Sequence, residues 1–298
     1  MKSSRLSMSL LFVGVISAVN PVFAQESLTQ ATPSVSQSVP DPAVQIRDLA
    51  RVLRSNDLAA LVRAVVPPSH LQLMRQSYEL QRLKPITPAE RSKFSEGIAK
   101  LTDANGVDTF MLEIEPKLVE ARPKAAGALL IGMGALQMAL ASDDSEFTAE
   151  QRTALQSALP GIQKWAAETD FLSSIFMRQA LSLLADAARN TGVRSIDELK
   201  MLSFEQALNK AGTLLAASKQ VLYIYGLDIN AIADSLQVQV LEQQGQSARV
   251  RTTITLFDAP ISSELDLVLL EGRWYSKASV AKLSTHAKQI APELGARY

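Results

Sequence analysis

The hydrophobic period of this chain changes at Leu236 from helical to alternating. Upstream, apolar residues recur at the three-and-four spacing of amphipathic helices. Downstream, Leu236, Val238 and Val240 alternate with Gln237 and Gln239, so successive side chains point to opposite faces of a strand. The reading is an α+β fold, a mainly helical body followed by a C-terminal antiparallel β-meander packed on helices.

The strands are punctuated by turn residues. Ala248, Val250, Thr252, Ile254 and Leu256 alternate with Arg249, Arg251, Thr253 and Thr255, and a break at Asp258-Ala259-Pro260 precedes Leu265, Leu267 and Leu269. Gln244-Gly245 and Glu271-Gly272 suit hairpins, the second leading to a last strand with Trp274 and Tyr275. One sheet face is expected to pack on helices and the other to meet water. A short terminal helix is expected from Val280 to Leu294.

Capping chemistry marks the helices. Asp41 caps a helix with Pro42 at its first position and Ile46, Leu49, Ala50 and Leu53 on one face. Asn56-Asp57 ends that helix and starts the next, which carries Leu58, Leu61, Val62 and Val65 and stops at Pro67-Pro68. Ser69 is expected to cap a third helix with Leu71, Met74 and Tyr78. Thr87-Pro88-Ala89-Glu90 forms a capping box, and Asn105-Gly106 punctuates the segment after it. Pro116 predicts a kink or break in the following helix, and Pro123 opens the apolar run to Ala141. Thr148 with Gln151, Asp170, Ser195 with Glu198, and Ser203 with Gln206 are further start signals.

The first 24 residues read as a secretory leader. Lys2 and Arg5 precede the apolar run Leu10 to Val19, and Val22-Phe23-Ala24 supplies a cleavage site before Gln25. Such a run is too short to remain as a spanning helix. Residues 25–40, rich in Ser, Thr, Gln and Pro, read as a disordered linker. Residues 41–226 then form the helical region, and 227–298 a C-terminal helix plus sheet, expected to pack with 41–82 as one unit. The expected address is the periplasm or the exterior.

Removing 24 residues from 298 leaves 274, enough for a sizeable core. With no cysteine, neither a disulfide nor a lipid on a processed N-terminal Cys is available. The 30 Lys and Arg against 30 Asp and Glu become 28 against 30 once Lys2 and Arg5 leave, a formal charge of −2. That balance argues against nucleic acid as a partner.

Two segments, Ile46 to Pro68 (IRDLARVLRSNDLAALVRAVVPP) and Leu236 to Ser276 (containing ARVRTTITL, ELDLVLL and EGRWYS), resemble the opening helices and closing strands of the NTF2-like superfamily. The resemblance is to its small exported bacterial proteins of unknown function. It implies a pocket between sheet and helices, and leaves the helices from Glu79 to Gly226 as an insertion or a sign of another fold.

Motifs for catalysis are absent from the sequence. His70 and His286, the two histidines, have no second ligand at metal-binding spacing. Asp143, Asp144 and Glu146 lack the glycine and spacing of a calcium loop. There is no Gly-x-Ser-x-Gly elbow and no nucleophilic cysteine. Glu113 and Glu115, two residues apart on a helix, do not face each other. Gly132-Met133-Gly134 lacks the preceding strand and third glycine of a dinucleotide loop. No cofactor is therefore expected.

Ala125 to Ala141 (AAGALLIGMGALQMALA) is apolar on every side. The simplest reading is a buried central helix. Alternatives are the wall of an apolar pocket, with Met133 and Met138 adapting to its contents, or attachment to a membrane surface. The scarce aromatics Tyr78, Trp165, Tyr223, Tyr225 and Trp274 are candidate ligand or interface anchors, though each can also fill core. Arg249, Arg251 and Arg273 can gather on the wet sheet face, where they would attract an anion or simply keep that face soluble. The expected function is a soluble, non-catalytic envelope protein that binds a partner protein or an apolar small ligand. A carboxylate-dependent hydrolase or isomerase in an NTF2-like pocket is the alternative.

Overall fold

The structure, a computed structural model, describes residues 39–142 and 149–285. The leader, the linker up to residue 38, the Asp143, Asp144 and Glu146 group, the Thr148 cap and the chain beyond 285 lie outside the described residues. Ten helices precede the sheet in this range: α1 (Pro42–Ser55), α2 (Leu58–Val65), α3 (Pro68–Leu83), α4 (Pro88–Thr102), α5 (Gly106–Ala141), α6 (Ala149–Glu168), α7 (Ser174–Thr191), α8 (Ile196–Met201), α9 (Phe204–Ile224) and α10 (Ile229–Asp234). The strands are β1 (Gln237–Gln244), β2 (Ser247–Leu256), β3 (Ala259–Leu270) and β4 (Arg273–Ser276). Residues 277–285 are again helical.

Local chemistry accounts for most boundaries. Asp41 Oδ1 accepts from the Ala43 amide at 2.8 Å, satisfying a donor left free by the first turn of α1. Asn56 ends α1 in the left-handed region, at φ 61°, and Asp57 caps α2. Thr87 with Glu90 and Ser203 with Gln206 form reciprocal capping boxes, and Ser195 accepts from the Glu198 amide.

Four expectations are corrected. Pro67, not Ser69, occupies the cap of α3, because Pro68 already has the φ of a first helical position. Ser173 caps α7, while Asp170 accepts from the Leu172 amide and from Arg122. The break before β3 is the Phe257-Asp258 turn, and Ala259 and Pro260 already pair with Leu256 and Thr255. The fourth correction concerns α5, which runs unbroken for 36 residues through Pro116 and Pro123. These prolines are two turns apart, so they share one side of the helix. The carbonyls that lose their donors belong to Leu112 and Val119, both exposed, so water can replace the missing amides.

The sheet is an antiparallel meander in the order β1-β2-β3-β4. Each connection is a two-residue turn, and both residues of the second and third turns have positive φ: Phe257 and Asp258, then Glu271 and Gly272. Leu241 is the extra residue of a bulge that interrupts β1 opposite Val250 and Arg249. Helix α1 lies across one face, where Ile46 joins Ala248, Val250, Leu267 and Trp274 in a buried cluster. A second cluster joins Val62, Val66, Leu71 and Phe204, fastening α2 and α3 to α9. Thus α1 carries the main helical contact of segment 41–82 to the sheet, whereas α2 and α3 rest on the helical body.

Outward from these clusters, α7 packs on α9, and α5 packs on α7 and α6, with α6 in turn against β3. Helix α5 is therefore a peripheral layer. Arg178 to Asp108 and Arg122 to Asp170 fasten its polar N-terminal half.

Candidate functional site

The residues singled out in the sequence fall in several separate places. Trp274 is 2% exposed in the α1–sheet core, with its indole Nε1 donating to the Pro40 carbonyl at 2.6 Å. The buried amide of Gln45 reads both main-chain groups of Trp274: its Nε2 donates to the carbonyl at 2.5 Å, and its Oε1 accepts from the amide at 2.9 Å. This side chain behaves as a strand edge for β4. Sequence reasoning missed it because a glutamine on the apolar side of α1 looks like a surface residue, and its partner is 229 positions away. The space beside the sheet, where the resemblance implies a pocket, holds this core.

The second place is an aromatic clasp between the helical body and the β2–β3 turn. Trp165 stacks on Phe257 at 5.1 Å and meets Phe171 edge-on at the same distance, and Phe171 in turn stacks on Tyr225 at 6.1 Å. Trp165 Nε1 donates to the Tyr225 carbonyl at 2.5 Å. Burial raises the Tyr225 phenol above its ordinary pKa. Gly161 lets α6 reach the turn, since a Cβ there would lie 2.5 Å from Phe257 Cβ and from its carbonyl oxygen. Neither Phe257 nor Gly161 carries a motif; only the contact gives them meaning. Tyr78 has a similar role elsewhere, donating to the Leu202 carbonyl at 3.1 Å and meeting Phe204 edge-on at 5.6 Å.

The third place is an open cleft of about 360 Å³ lined by Asn56, Lys219, Gln220, Tyr223, Asp228 and Asn230, among others. Lys219 is 7% exposed and donates to the carbonyls of Leu53 (3.0 Å) and Arg54 (3.4 Å) and to Asn56 Oδ1 (2.8 Å). It caps the carbonyl end of α1, where a cation is favoured by the helix dipole. Burial nevertheless holds its ammonium pKa below the ordinary lysine value. Asp228, the carboxylate of the cleft, is occupied as the cap of α10. Tyr223 stands on the rim, 65% exposed. The cleft's strongest polar groups thus already serve helix ends.

The outer side of α5 is the fourth. Ala125, Leu129, Met133 and Leu136 are half-buried and Leu140 is buried, a seam turned toward α6 and α7. Ile131 and Met138 lie on the opposite side and Leu130 on its flank, and the three are 74%, 73% and 75% exposed. The expectation of a buried central helix is corrected: the described residues enclose one stripe of Ala125 to Ala141, and Leu130, Ile131 and Met138 lie outside it. Met133 and Met138 do not share a pocket, because five residues separate them by well over a right angle on the wheel. A Cβ at Gly127, Gly132 or Gly134 would meet nothing within 4 Å, so these glycines make no close approach here.

The arginines lie on the wet face of the sheet. Arg249 faces Asp266 at 2.9 Å and Arg251 faces Glu264 at 2.6 Å, each across the β2–β3 pair, which spends their charge locally. Arg273 is exposed on β4. Glu113 and Glu115 are both exposed on α5. Among the described residues, no group of three or more His, Asp or Glu is placed to hold a metal ion. Comparison with known proteins finds no matching family model, curated protein or solved structure.

Proposed function

We propose that this is a non-catalytic protein exported to the cell envelope, which docks through the outer side of α5 onto an apolar partner. The observation that supports it is the exposure of Leu130, Ile131 and Met138 on a stretch without a charged residue from Ala125 to Ser142. Large contiguous apolar surface on a folded chain marks an interaction site. The rest of the described fold agrees with a scaffold for such a surface: capped helices, a closed α1–sheet core and a clasp joining the two. A sheet with α1 across one face also fits kinship with the NTF2-like superfamily.

Phase partition in a clouding detergent tests the docking surface. The mature chain is expected in the detergent phase, and the triple variant Leu130→Gln, Ile131→Gln, Met138→Gln in the aqueous phase. Recovery of the unaltered chain from the aqueous phase would contradict the proposal. For the address, N-terminal sequencing of protein released by osmotic shock should read from Gln25, and an N-terminus at Met1 in cytosol would refute export.

A further inference from the structure

We propose that the cleft between α9, α10 and the end of α1 binds a neutral saccharide, whose ring stacks on Tyr223 and whose hydroxyls bond to Gln220, Asn230 and Asn56. The cleft draws no residue from α5, so it stands independently of the docking side. Helix α9 lays Ala216, Lys219, Gln220 and Tyr223 along it at the i, i+3, i+4 and i+7 spacing of one helix face. Asn56 comes from the α1–α2 corner, and Asp228 and Asn230 from the start of α10. Gly212 sets the closeness of this frame, since a Cβ there would lie 2.8 Å from the Asn56 carbonyl oxygen.

The charged groups of the cleft are already engaged. An ammonium has three N–H donors, and Lys219 directs its own to Leu53, Arg54 and Asn56, so none is left for a phosphate or a carboxylate. Asp228 Oδ1 accepts from the amides of Asn230 at 2.8 Å and Ala231 at 3.0 Å, and the charge of Lys219 acts against any added cation. An ionic ligand therefore finds no free counter-charge. Ala216 and Ile229 are the aliphatic lining, too little to hold an apolar ligand.

The groups that remain are neutral ones. Asn230 Oδ1 is buried without a donor among the described residues, a destabilising state that also leaves the orientation of its amide unfixed by any hydrogen bond. A hydroxyl both donates and accepts, so it can serve such an amide either way round. Asn56 uses its oxygen on Lys219 and keeps Nδ2 for a ligand acceptor, and the Gln220 amide is exposed beside it. Tyr223, 65% exposed, joins none of the ring pairs among the described residues, so its face is open to the C–H side of a pyranose. At about 360 Å³ the cleft lies near the lower end of the ~300 to 1,000 Å³ of small-ligand sites, a size for a mono- or disaccharide.

Saturation-transfer difference NMR on the full mature chain tests this with maltose, cellobiose and N,N′-diacetylchitobiose, beside glucuronate and the neutral peptide N-acetyl-diglycine amide. At least one of the three neutral sugars should take up saturation. Tyr223→Ala should weaken its binding about tenfold, and Tyr223→Trp should restore it. Asn230→Leu should also weaken binding while urea unfolding shows no loss of stability, because the buried oxygen bonds to nothing in the described fold. Silence of all three sugars, a stronger response to glucuronate, a response to the peptide alone, or sugar binding unchanged in both Tyr223→Ala and Asn230→Leu would each overturn the proposal. Detergent partition of the same chain follows α5, so failure here leaves the docking surface standing.

Discussion

The α1–sheet junction and the outer side of α5 treat apolar side chains in opposite ways. At the junction the apolar side chains are enclosed: Trp274 is buried, its indole bonded to Pro40, and its main chain read by Gln45. On α5, side chains just as apolar face outward, and three glycines leave their surroundings open. The first region is specified by contacts within the chain. The second obeys no rule of a self-sufficient fold, and places where such rules fail are where function is expected.

The largest effect should come from the junction. Trp274→Ala removes the enclosed indole and opens a cavity, and is expected to lower unfolding free energy by about 3 to 5 kcal/mol in urea titration. A loss below about 1 kcal/mol would place the two regions on the same footing. Next, Gly161→Ala drives a Cβ against the backbone of Phe257 and should cost about 1 to 3 kcal/mol, since α6 or the turn must shift. Wild-type stability for this variant would mean that the clasp is loose.

The half-buried and buried phenols also predict a response to alkali. Burial raises the phenols of Tyr78, Tyr225 and Tyr275 above 10.0, so past that pH the unfolded chain sheds protons the folded chain keeps, and stability falls as pH rises. Lys219 acts with the opposite sign. Its lowered value means the folded chain loses its proton first, adding stability as pH climbs toward 10.5. Above 10.5 the unfolded lysine has lost its proton too, so the tyrosines alone set the trend and a fall is expected in melting curves there. The smallest effect belongs to the wet sheet face: Asp266→Asn breaks an exposed pair with Arg249 and should change stability by less than about 0.5 kcal/mol.

Much of the fold was legible because its signals are local. Asp41, Asn56-Asp57, Thr87 with Glu90 and Ser203 with Gln206 each act within a few residues, and the alternation after Leu236 gives the meander directly. What escaped depends on distance or on geometry. A Phe-Asp turn with two positive φ values is an uncommon choice, supported here by the ring of Trp165 from another element. Proline usually breaks a helix, yet Pro116 and Pro123 share a wet side and leave α5 whole. An apolar run suggests burial, but burial needs neighbours, and the composition of Ala125 to Ala141 does not say how many it has. The candidate site was therefore visible as a segment and invisible as a surface.

The most direct measurement is equilibrium urea unfolding of Leu130→Gln, Ile131→Gln, Met138→Gln beside the unaltered chain. Glutamine keeps the helix propensity of leucine and methionine, so only burial is probed. If α5 turns this side outward for a partner, the two unfolding free energies agree within about 1 kcal/mol. A loss of about 4 kcal/mol or more would show that the chain itself buries these side chains, and the contrast between the two regions would be gone.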